Sequence, residues 1–275
     1  MLIRIGSSDN SRVKLVRKLG TRKGRTAEGR FVIEGLNLCR EAVLRSLDID
    51  FLMIADDWKE SGGQDDISGL RAFTEECIGS DSLTVCMVPA KIFAGLTDAG
   101  TGIGIIGVLK KPDNDLTQAA RLAPGSNILV LDRIQDPGNI GTMIRTAVAA
   151  GYGMVIAVKG TADIYSAKVL RATAGMIFEI PIAYVDDAAE LGEVLRRSGK
   201  RVAVTDPAGG RPYYEEDLSR DTALVIGNEG NGISEEVMAL ADVRVTLPMR
   251  GSIESLNAAV SAAILMYEAV RTQDQ

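Results

Sequence analysis

The 275-residue sequence contains no histidine, and this absence removes several common kinds of active site. Without an imidazole, Ser-His-Asp and Cys-His catalysis are excluded, and so are the usual histidine-ligated zinc hydrolase sites. Proton transfer must therefore depend on carboxylates, lysine, arginine, tyrosine, cysteine or the substrate itself.

Cysteine and long apolar runs are also scarce. The three cysteines, Cys39, Cys77 and Cys86, include no close pair in sequence, so neither a disulfide framework nor a zinc site is indicated. No apolar run is long enough to span a bilayer, and the first residues lack the layout of a signal peptide. These features predict a cytoplasmic, reducing environment and no membrane partner.

Positive charge is concentrated near the start of a chain that is acidic as a whole. The formal net charge is −6, yet residues 1–30 hold nine basic and two acidic side chains, which gives this segment a charge of +7. Such a basic arm fits a polyanion such as RNA, although a solvated charged helix would have the same composition. The candidate RNA-binding residues are Arg12, Lys14, Arg17, Lys18, Arg22, Lys23 and Arg25.

Short strands and helices alternate over residues 1–112 and predict a small α/β sandwich domain. A linker over residues 113–126 is expected to follow, because Lys-Pro-Asp-Asn-Asp at 111–115 marks its start and Pro-Gly at 124–125 marks its end. The strands of the first domain are predicted at 31–35, 49–55, 83–88 and 104–109, and its later helices at 38–47, 70–77 and 89–94.

The basic arm itself is predicted to form one helix and one loop. Residues 7–19 have apolar side chains at helical spacing, with Val13, Val16 and Leu19 on the packed face and the basic side chains turned outward. Residues 21–25 are too polar to bury, and we expect them to form a loop.

Residues 127–275 alternate between apolar strands and amphipathic helices. This alternation predicts an α/β domain with a mostly parallel sheet and helices on both of its faces. The strands are predicted at 128–131, 154–158, 177–182, 201–204, 224–227 and 243–247. The helices are predicted at 139–149, 166–174, 188–197, 234–241 and 255–270.

Polar residues follow the first strand of this second domain. After a Pro-Gly turn, apolar spacing predicts a helix with Asn139 as its N-cap. Arg145 lies at the edge of the apolar face, from which its guanidinium can reach the crevice at the strand end, where open α/β folds bind ligands. A capping asparagine and a solvated arginine would explain the same two residues.

Two later stretches also combine a strand, a loop and a helix. Residues 224–234 run from a buried strand into a loop that contains three glycines and Glu229, and glycines let a ligand approach the backbone closely. Residues 243–257 run from a strand through Pro-Met to Ser255 and Asn257, which open the last helix. Ser255 is also compatible with a simple N-cap role.

Together the three stretches resemble the SpoU (TrmH) family of RNA ribose 2′-O-methyltransferases, in the SPOUT superfamily. The shared pattern has three parts: D-P-G-N-x-G-x-x-x-R at 136–145, G-x-E-G-x-G at 227–232, and L-P-M at 247–249 together with E-S-L-N at 254–257. Three motifs in one order are more specific than any one of them. The resemblance covers residues 127–271, and the first domain is similar to the substrate-binding domain of rRNA-modifying members.

The resemblance implies a fold, a cofactor and a set of residue roles. The second domain is expected to contain a deep trefoil knot that holds S-adenosylmethionine and to form a homodimer. The residues whose groups would hold the cofactor are Thr205, Gly227, Leu247, Met249 and Leu256. The residues that the resemblance places at the reaction centre are Asn139, Arg145, Glu229, Ser255 and Asn257.

Arg145 is not expected to be the general base, because a guanidinium stays protonated in proteins. We expect it to bind the RNA phosphate and to stabilise the developing alkoxide, while that phosphate or water accepts the proton. Glu229 and Asn139 would hold Arg145 or the ribose, and Ser255 and Asn257 would shape the loop and the cofactor pocket.

Other functions remain compatible with parts of the sequence. Residues 102–107 match G-x-G-x-x-G, which would fit a nicotinamide-dependent dehydrogenase, but the pattern follows a loop and continues as a strand instead of opening a helix. Glycines at a close approach within a strand explain it better. Within the methyltransferase interpretation the substrate could be ribosomal or transfer RNA, and a non-catalytic RNA-binding protein is a further alternative.

Overall fold

The computed structural model describes residues 1–56, 64–80, 83–97, 104–250 and 255–273. Contacts within the chain separate two compact units. The first consists of Met1–Pro112 with Tyr165–Arg171, and the second of Asp113–Ile164 with Ala172–Gln275. Among the described helices, none is both long enough and apolar enough to cross a membrane.

The first unit contains a mixed five-stranded sheet. The spatial order is β1-β4-β3-β5-β2, in which β1, β4 and β3 are parallel while β5 is antiparallel to both of its neighbours. The strands are β1 (Leu2–Arg4), β2 (Arg30–Glu34), β3 (Ile49–Ala55), β4 (Val85–Val88) and β5 (Ile105–Lys110). The helices are α1 (Ser11–Leu19), α2 (Arg22–Glu28), α3 (Leu36–Leu44), α4 (Gln64–Gly79) and α5 (Ala90–Phe93).

The first predicted helix is confirmed with a later start. The Asn10 side chain accepts a hydrogen bond from the Arg12 N–H, so it caps α1 and the helix begins at Ser11. The three apolar residues expected on the packed face, Val13, Val16 and Leu19, are buried.

The loop predicted over residues 21–25 is wrong, because these residues begin α2. The Thr21 hydroxyl accepts a hydrogen bond from the Gly24 N–H, and Gly29 ends the helix with a φ of +60°. Gly24 is buried so close to α1 that an added Cβ would lie 1.8 Å from the Lys18 carbonyl oxygen. A polar helix can therefore pack here through its backbone.

Most of the glycine pattern at 102–107 lies in or next to a strand. Gly102 is outside the described residues, and Ile105 begins β5. An added Cβ at Gly107 would lie 3.0 Å from the Ile33 Cγ1 atom, which is the close approach that the sequence predicts. A dinucleotide-binding loop must be followed by a helix, but here the glycine pattern leads into strand β5. This pattern therefore does not support a dehydrogenase.

The second unit contains a seven-stranded, fully parallel sheet in the order β10-β12-β9-β11-β6-β7-β8. Its strands are β6 (Ile128–Asp132), β7 (Met154–Val158), β8 (Ile182–Val185), β9 (Arg201–Thr205), β10 (Arg211–Pro212), β11 (Thr222–Gly227) and β12 (Val243–Thr246). The helices in this part of the sequence are α6 (Pro137–Ala149), α7 (Ala167–Thr173), α8 (Ala188–Arg197), α9 (Glu235–Met238) and α10 (Ala258–Gln273).

Both faces of this sheet are covered, as predicted. Successive side chains of a strand point to opposite faces, and all four residues from Ile128 to Leu131 in β6 are fully buried. Ile128 and Val130 pack in one core with Leu191 and Leu195 of α8. Helix α10 packs against α6.

Two local predictions in this unit need correction. The strand predicted at 177–182 is replaced by a 3₁₀ turn over Met176–Phe178, and β8 begins only at Ile182. Pro181 has no N–H for a sheet ladder, so a strand that continued through it would lack a hydrogen bond. The two-residue edge strand β10 was not predicted, because two residues show no periodicity.

Candidate active site

The loop that carries Glu229 and the loop that leads to Asn139 meet at one edge of the parallel sheet. Strands β6 and β11 are neighbours, and Asp132 at the end of β6 pairs in register with Gly227 at the end of β11. Their parallel direction brings the loops that follow, residues 133–136 and 228–234, to the same side.

The first residue of α6 is set by Asp136 and Pro137. The Asp136 carboxylate accepts a hydrogen bond from the Asn139 N–H at 2.8 Å, so Asp136 is the N-cap and the prediction of Asn139 in that role is wrong. Proline suits the first helical position because its fixed φ fits and its missing N–H would have no partner there. The Asn139 side chain is consequently available for the site.

Asn139 is held between two other predicted site residues. Its Nδ2 donates to Glu229 Oε1 at 2.9 Å, and its Oδ1 accepts from Asn257 Nδ2 at 2.9 Å. Asn139 is 8% exposed. A buried amide with both ends hydrogen-bonded has one orientation, so the structure fixes these three side chains relative to one another.

The Glu229 carboxylate accepts several hydrogen bonds. Backbone N–H groups of Gln135 and Asp136 donate to its two oxygens at 3.3 and 3.4 Å, in addition to the Asn139 amide. Partial burial alone would raise the pKa of Glu229, but these hydrogen bonds outweigh it and hold the pKa below its ordinary value. Glu229 is therefore a carboxylate at neutral pH.

Asn257 also determines where the last helix begins. Its Oδ1 accepts from the N–H groups of Ala259 and Val260 at 2.9 and 3.2 Å, which makes it the N-cap of α10. The helix start predicted at Ser255, and the N-cap role considered for that residue, are therefore wrong. Since the Asn257 Nδ2 donates to Asn139, one amide both caps α10 and orients the site.

A cavity of about 530 Å³ lies beside this network. Its walls are the loops after β9, β11 and β12 together with the start of α10. All five predicted cofactor-binding residues line it: Thr205, Gly227, Leu247, Met249 and Leu256. Glu229, Ser255 and Asn257 line it as well.

The walls of this cavity combine apolar surface with a few polar groups. Part of the wall is closely packed backbone, because an added Cβ at Gly227 would lie 2.4 Å from the Ile233 nitrogen. Leu247 and Leu256 supply apolar surface, while the Thr205 and Ser255 hydroxyls supply polar groups. This mixture of apolar walls and a few polar groups, at this volume, is typical of cofactor sites.

The fifth predicted reaction-centre residue, Arg145, is not joined to the other four. It is exposed on α6, and among the described residues it makes neither a hydrogen bond nor an ion pair. Glu229 holds Asn139 in this structure, and Ser255 lies in the wall of the same cavity. The structure thus joins Asn139, Glu229 and Asn257 by hydrogen bonds, places Ser255 in the cavity wall beside them, and leaves Arg145 outside that network.

Three further residues that sequence reasoning missed hold the two loops together. Asn228 Nδ2 donates to the Arg133 carbonyl at 2.9 Å, and the Gln135 N–H donates to Glu229. Asp132 is fully buried and accepts from the Ser234 N–H at 2.6 Å. A carboxylate that directly follows an apolar strand was a signal for Asp132, whereas nothing local distinguishes Asn228 or Gln135.

The basic arm presents five of its seven candidate residues on the surface: Lys14, Arg17, Lys18, Arg22 and Lys23. Arg12 is half-buried, with its guanidinium 5.7 Å from the centre of the Phe51 ring. Arg25 must be removed from the RNA-contacting set, because it is 8% exposed and its Nη1 donates to the Leu19 carbonyl at 2.6 Å. The Arg25 guanidinium therefore caps α1 at its last residue, within the first unit.

Comparison with known proteins identifies relatives over nearly the whole chain. Residues 126–267 match the model of the SpoU rRNA Methylase family, and residues 10–107 match an MRM3-like substrate binding domain. The chain is 34% identical to the 23S rRNA (guanosine(2553)-2′-O)-methyltransferase RlmP of Bacillus subtilis, over 96% of this chain and 97% of that protein.

Solved structures show the same fold. An AdoMet-bound rRNA methyltransferase from Sinorhizobium meliloti superposes with a TM-score of 0.84 at 29% identity, covering 98% of both chains. The SpoU methyltransferase AviRb from Streptomyces viridochromogenes, in complex with AdoMet, superposes with a TM-score of 0.84 at 28% identity, covering 97% of this chain and 99% of that one.

Proposed function

The chain belongs to the SpoU rRNA methylase family and is an RNA ribose 2′-O-methyltransferase that uses S-adenosylmethionine, and we propose that ribosomal RNA is its substrate. The relative from Bacillus subtilis acts on 23S rRNA by its name, and the first unit matches a substrate-binding domain model. One observation carries the proposed site: Asn139 is hydrogen-bonded between Glu229 and Asn257 beside the cavity.

The proposed cofactor site is the cavity formed by the loops after β9, β11 and β12. When bound, S-adenosylmethionine supplies an electrophilic methyl group on its sulfonium. Gly227 lines this cavity, and because it has no side chain the backbone of Gly232 and Ile233 can pack closely against it and form part of the wall. The apolar side chains there exclude water from the reacting atoms. The residues proposed to hold the cofactor are Thr205, Gly227, Leu247, Met249 and Leu256.

The proposed reaction centre positions a ribose hydroxyl beside that cavity. The ionised Glu229 and the oriented Asn139 amide offer a hydrogen-bond acceptor and fixed dipoles for the ribose. Ser255 shapes the cavity wall, and Asn257 positions Asn139 from the start of α10.

Arg145 has the remaining role in this proposal. Its guanidinium stays protonated and has no protein partner in the described chain, so it is available to an RNA phosphate. Held there, it stabilises the negative charge that develops on the ribose oxygen. The proton passes to the phosphate or to water.

The proposed domain roles follow the sequence. Residues 1–112 form the RNA-binding domain, residues 113–126 the linker and residues 127–275 the methyltransferase domain. The six exposed or half-exposed cations of α1 and α2 would contact phosphates without reading sequence. The deep trefoil knot stays a prediction from the family resemblance.

A homodimer through the methyltransferase domain and a cytoplasmic location are also part of the proposal. Helix α10 exposes Val260 and Tyr267, at 48% and 52%, and a second copy of the chain would cover them. The three cysteines are buried free thiols, as expected in a reducing compartment.

A methyl-transfer assay tests the proposed substrate. The purified protein and labelled S-adenosylmethionine are incubated with ribosomal RNA and with transfer RNA from cells that lack the gene, and the modified riboses are then mapped. Label at a ribose of ribosomal RNA is the expected result. Label in transfer RNA alone would replace ribosomal RNA as the substrate, and label in neither would favour the non-catalytic RNA-binding alternative.

A further inference from the structure

Arg133 directly follows β6 and has a backbone conformation that is rare for a residue with a side chain. Its φ is +58°, in the left-handed region, where Cβ crowds the following carbonyl oxygen. Its N–H donates to the Thr161 hydroxyl at 3.1 Å. Its carbonyl accepts from Asn228 Nδ2 at 2.9 Å and from Gln135 Nε2 at 3.1 Å. The surrounding loops therefore hold Arg133 in a strained conformation, which points to a function.

The loop after β7 makes room for the arginine side chain. An added Cβ at Gly160 would lie 2.9 Å from Arg133 Cγ and 3.5 Å from its Cδ. Gly160 itself has a φ of +102°, which also favours glycine. The aliphatic part of Arg133 thus lies against a backbone surface that fixes its direction.

The guanidinium of Arg133 has donors that the protein leaves unused. Its Nε is buried without a hydrogen-bond partner, and its nearest acidic atom is Asp132 Oδ1 at 3.5 Å. That oxygen is fully buried and also lacks a hydrogen bond. The Arg133 side chain as a whole is 41% exposed, and in the described chain no protein group accepts a hydrogen bond from it.

We propose that Arg133 binds a backbone phosphate of the RNA substrate next to the reacting ribose, and this inference rests on the proposed function. A guanidinium is permanently charged and presents a planar set of donors that matches phosphate oxygens. Asp132 holds one edge of it from within the protein, and the remaining donors are available to an anion from outside.

The location favours RNA over the other anion in the reaction, the carboxylate of the cofactor. Arg133 is not among the residues that line the cofactor cavity. It lies two residues before Gln135, whose N–H donates to Glu229, and so belongs to the loop that forms the proposed RNA side of the site. Arg133 would position the RNA strand, while Arg145 acts at the ribose oxygen.

The test is Arg133→Asn, because asparagine tolerates the left-handed conformation and removes the guanidinium. Binding of purified ribosomal RNA is measured by filter binding between 50 and about 200 mM salt. We expect affinity at low salt to fall about tenfold and the slope of log K against log salt to become shallower by about 0.7–0.9, the value for one phosphate. The KM for RNA should rise far more than kcat falls.

Two further variants serve as controls. Arg133→Lys keeps the charge and should recover the salt slope with part of the affinity. Arg197→Gln removes an exposed arginine of α8 that pairs with Glu193, and it should leave RNA binding unchanged. Calorimetry should give the same S-adenosylmethionine affinity for all three variants as for the wild type.

Three outcomes would overturn the inference. If Arg133→Asn keeps the wild-type salt slope, Arg133 binds no phosphate, although wild-type methyl transfer would still uphold the proposed function. If it loses cofactor affinity instead, the anion is the cofactor carboxylate. If Arg197→Gln changes the slope equally, the effect is general charge. Absence of methyl transfer by the wild type would instead refute the proposed function, because the binding measurement does not depend on turnover.

Discussion

The polar side chains beside the cavity are bonded to one another, whereas Arg145 and the cations of the basic arm are exposed. Asn139, Glu229 and Asn257 form a buried network beside the cavity. Arg145 has no partner in the described chain, and the side chains of Arg22 and Lys23 are on the surface. Polar groups that are already held in place need no reorganisation during the reaction. Exposed cations, in contrast, are accessible to the phosphates of a large RNA.

The largest effect is expected from Arg145→Ala. If the guanidinium stabilises the developing alkoxide, methyl transfer should fall by about 10²–10³, the usual loss for one such donor. Cofactor affinity by calorimetry should not change, because Arg145 is exposed and outside the cavity. If the variant lost both cofactor binding and activity, Arg145 would belong to the cofactor site, and the contrast between the bonded polar network and the exposed cations would not hold for it.

The next effect is expected from Asn139→Ala, which breaks the network itself. The change leaves the Asn257 amide without its acceptor and removes a donor from Glu229, and we expect kcat to fall about 10–100-fold. The lost donor favoured the carboxylate form, so the pKa of Glu229 should rise toward its ordinary value.

The acid limb of the pH–rate profile of this variant should therefore move to higher pH. Wild-type protein measured in the same buffers is the reference, and methyl transfer under single-turnover conditions gives the profile. An unchanged acid limb would mean that Glu229 ionisation does not control the reaction.

The third variant, Gly227→Ala, distinguishes cofactor binding from RNA binding. In Gly227→Ala the new Cβ would lie 2.4 Å from backbone atoms of Gly232 and Ile233. This overpacking should lower the free energy of unfolding by about 1–3 kcal/mol. It should also lower the cofactor affinity at least about tenfold. Gly230→Ala is the matched control, since its Cβ would lie 3.6 Å from Asn228 Oδ1, an ordinary contact. Similar cofactor affinity for both variants would argue against the assigned cavity.

The smallest effect on turnover is expected from the basic arm. The double change Arg22→Gln with Lys23→Gln should make the salt slope of RNA binding shallower by about 1.4–1.8 and leave cofactor affinity unchanged. Arg25→Gln should differ, because that guanidinium is buried and hydrogen-bonded to the Leu19 carbonyl. It should lower the free energy of unfolding by about 2 kcal/mol and leave the salt slope of the folded protein unchanged.

Local signals were sufficient for much of the fold. The bounds of α8, β3 and β7 match the prediction, because strong periodicity or a continuous apolar run marks each of them. Among the predicted elements, the loop at 21–25 and the strand at 177–182 failed, the first for a tertiary reason and the second for a local one. Residues 21–25 are helical because Gly24 lets α2 pack closely on α1, and Pro181 delays β8.

The sequence by itself determined the fold class and the family resemblance, because these depend on residue type, order and spacing, and the resemblance in turn implied five residues that line the cavity. Only the tertiary structure decided what each polar side chain bonds to. Asn139 proved to be a bridge because Asp136 caps α6, and Arg25 proved to be internal because Leu19 offers it a carbonyl. Such pairings join residues as much as 118 positions apart, as in Asn139 and Asn257, and no local pattern encodes them.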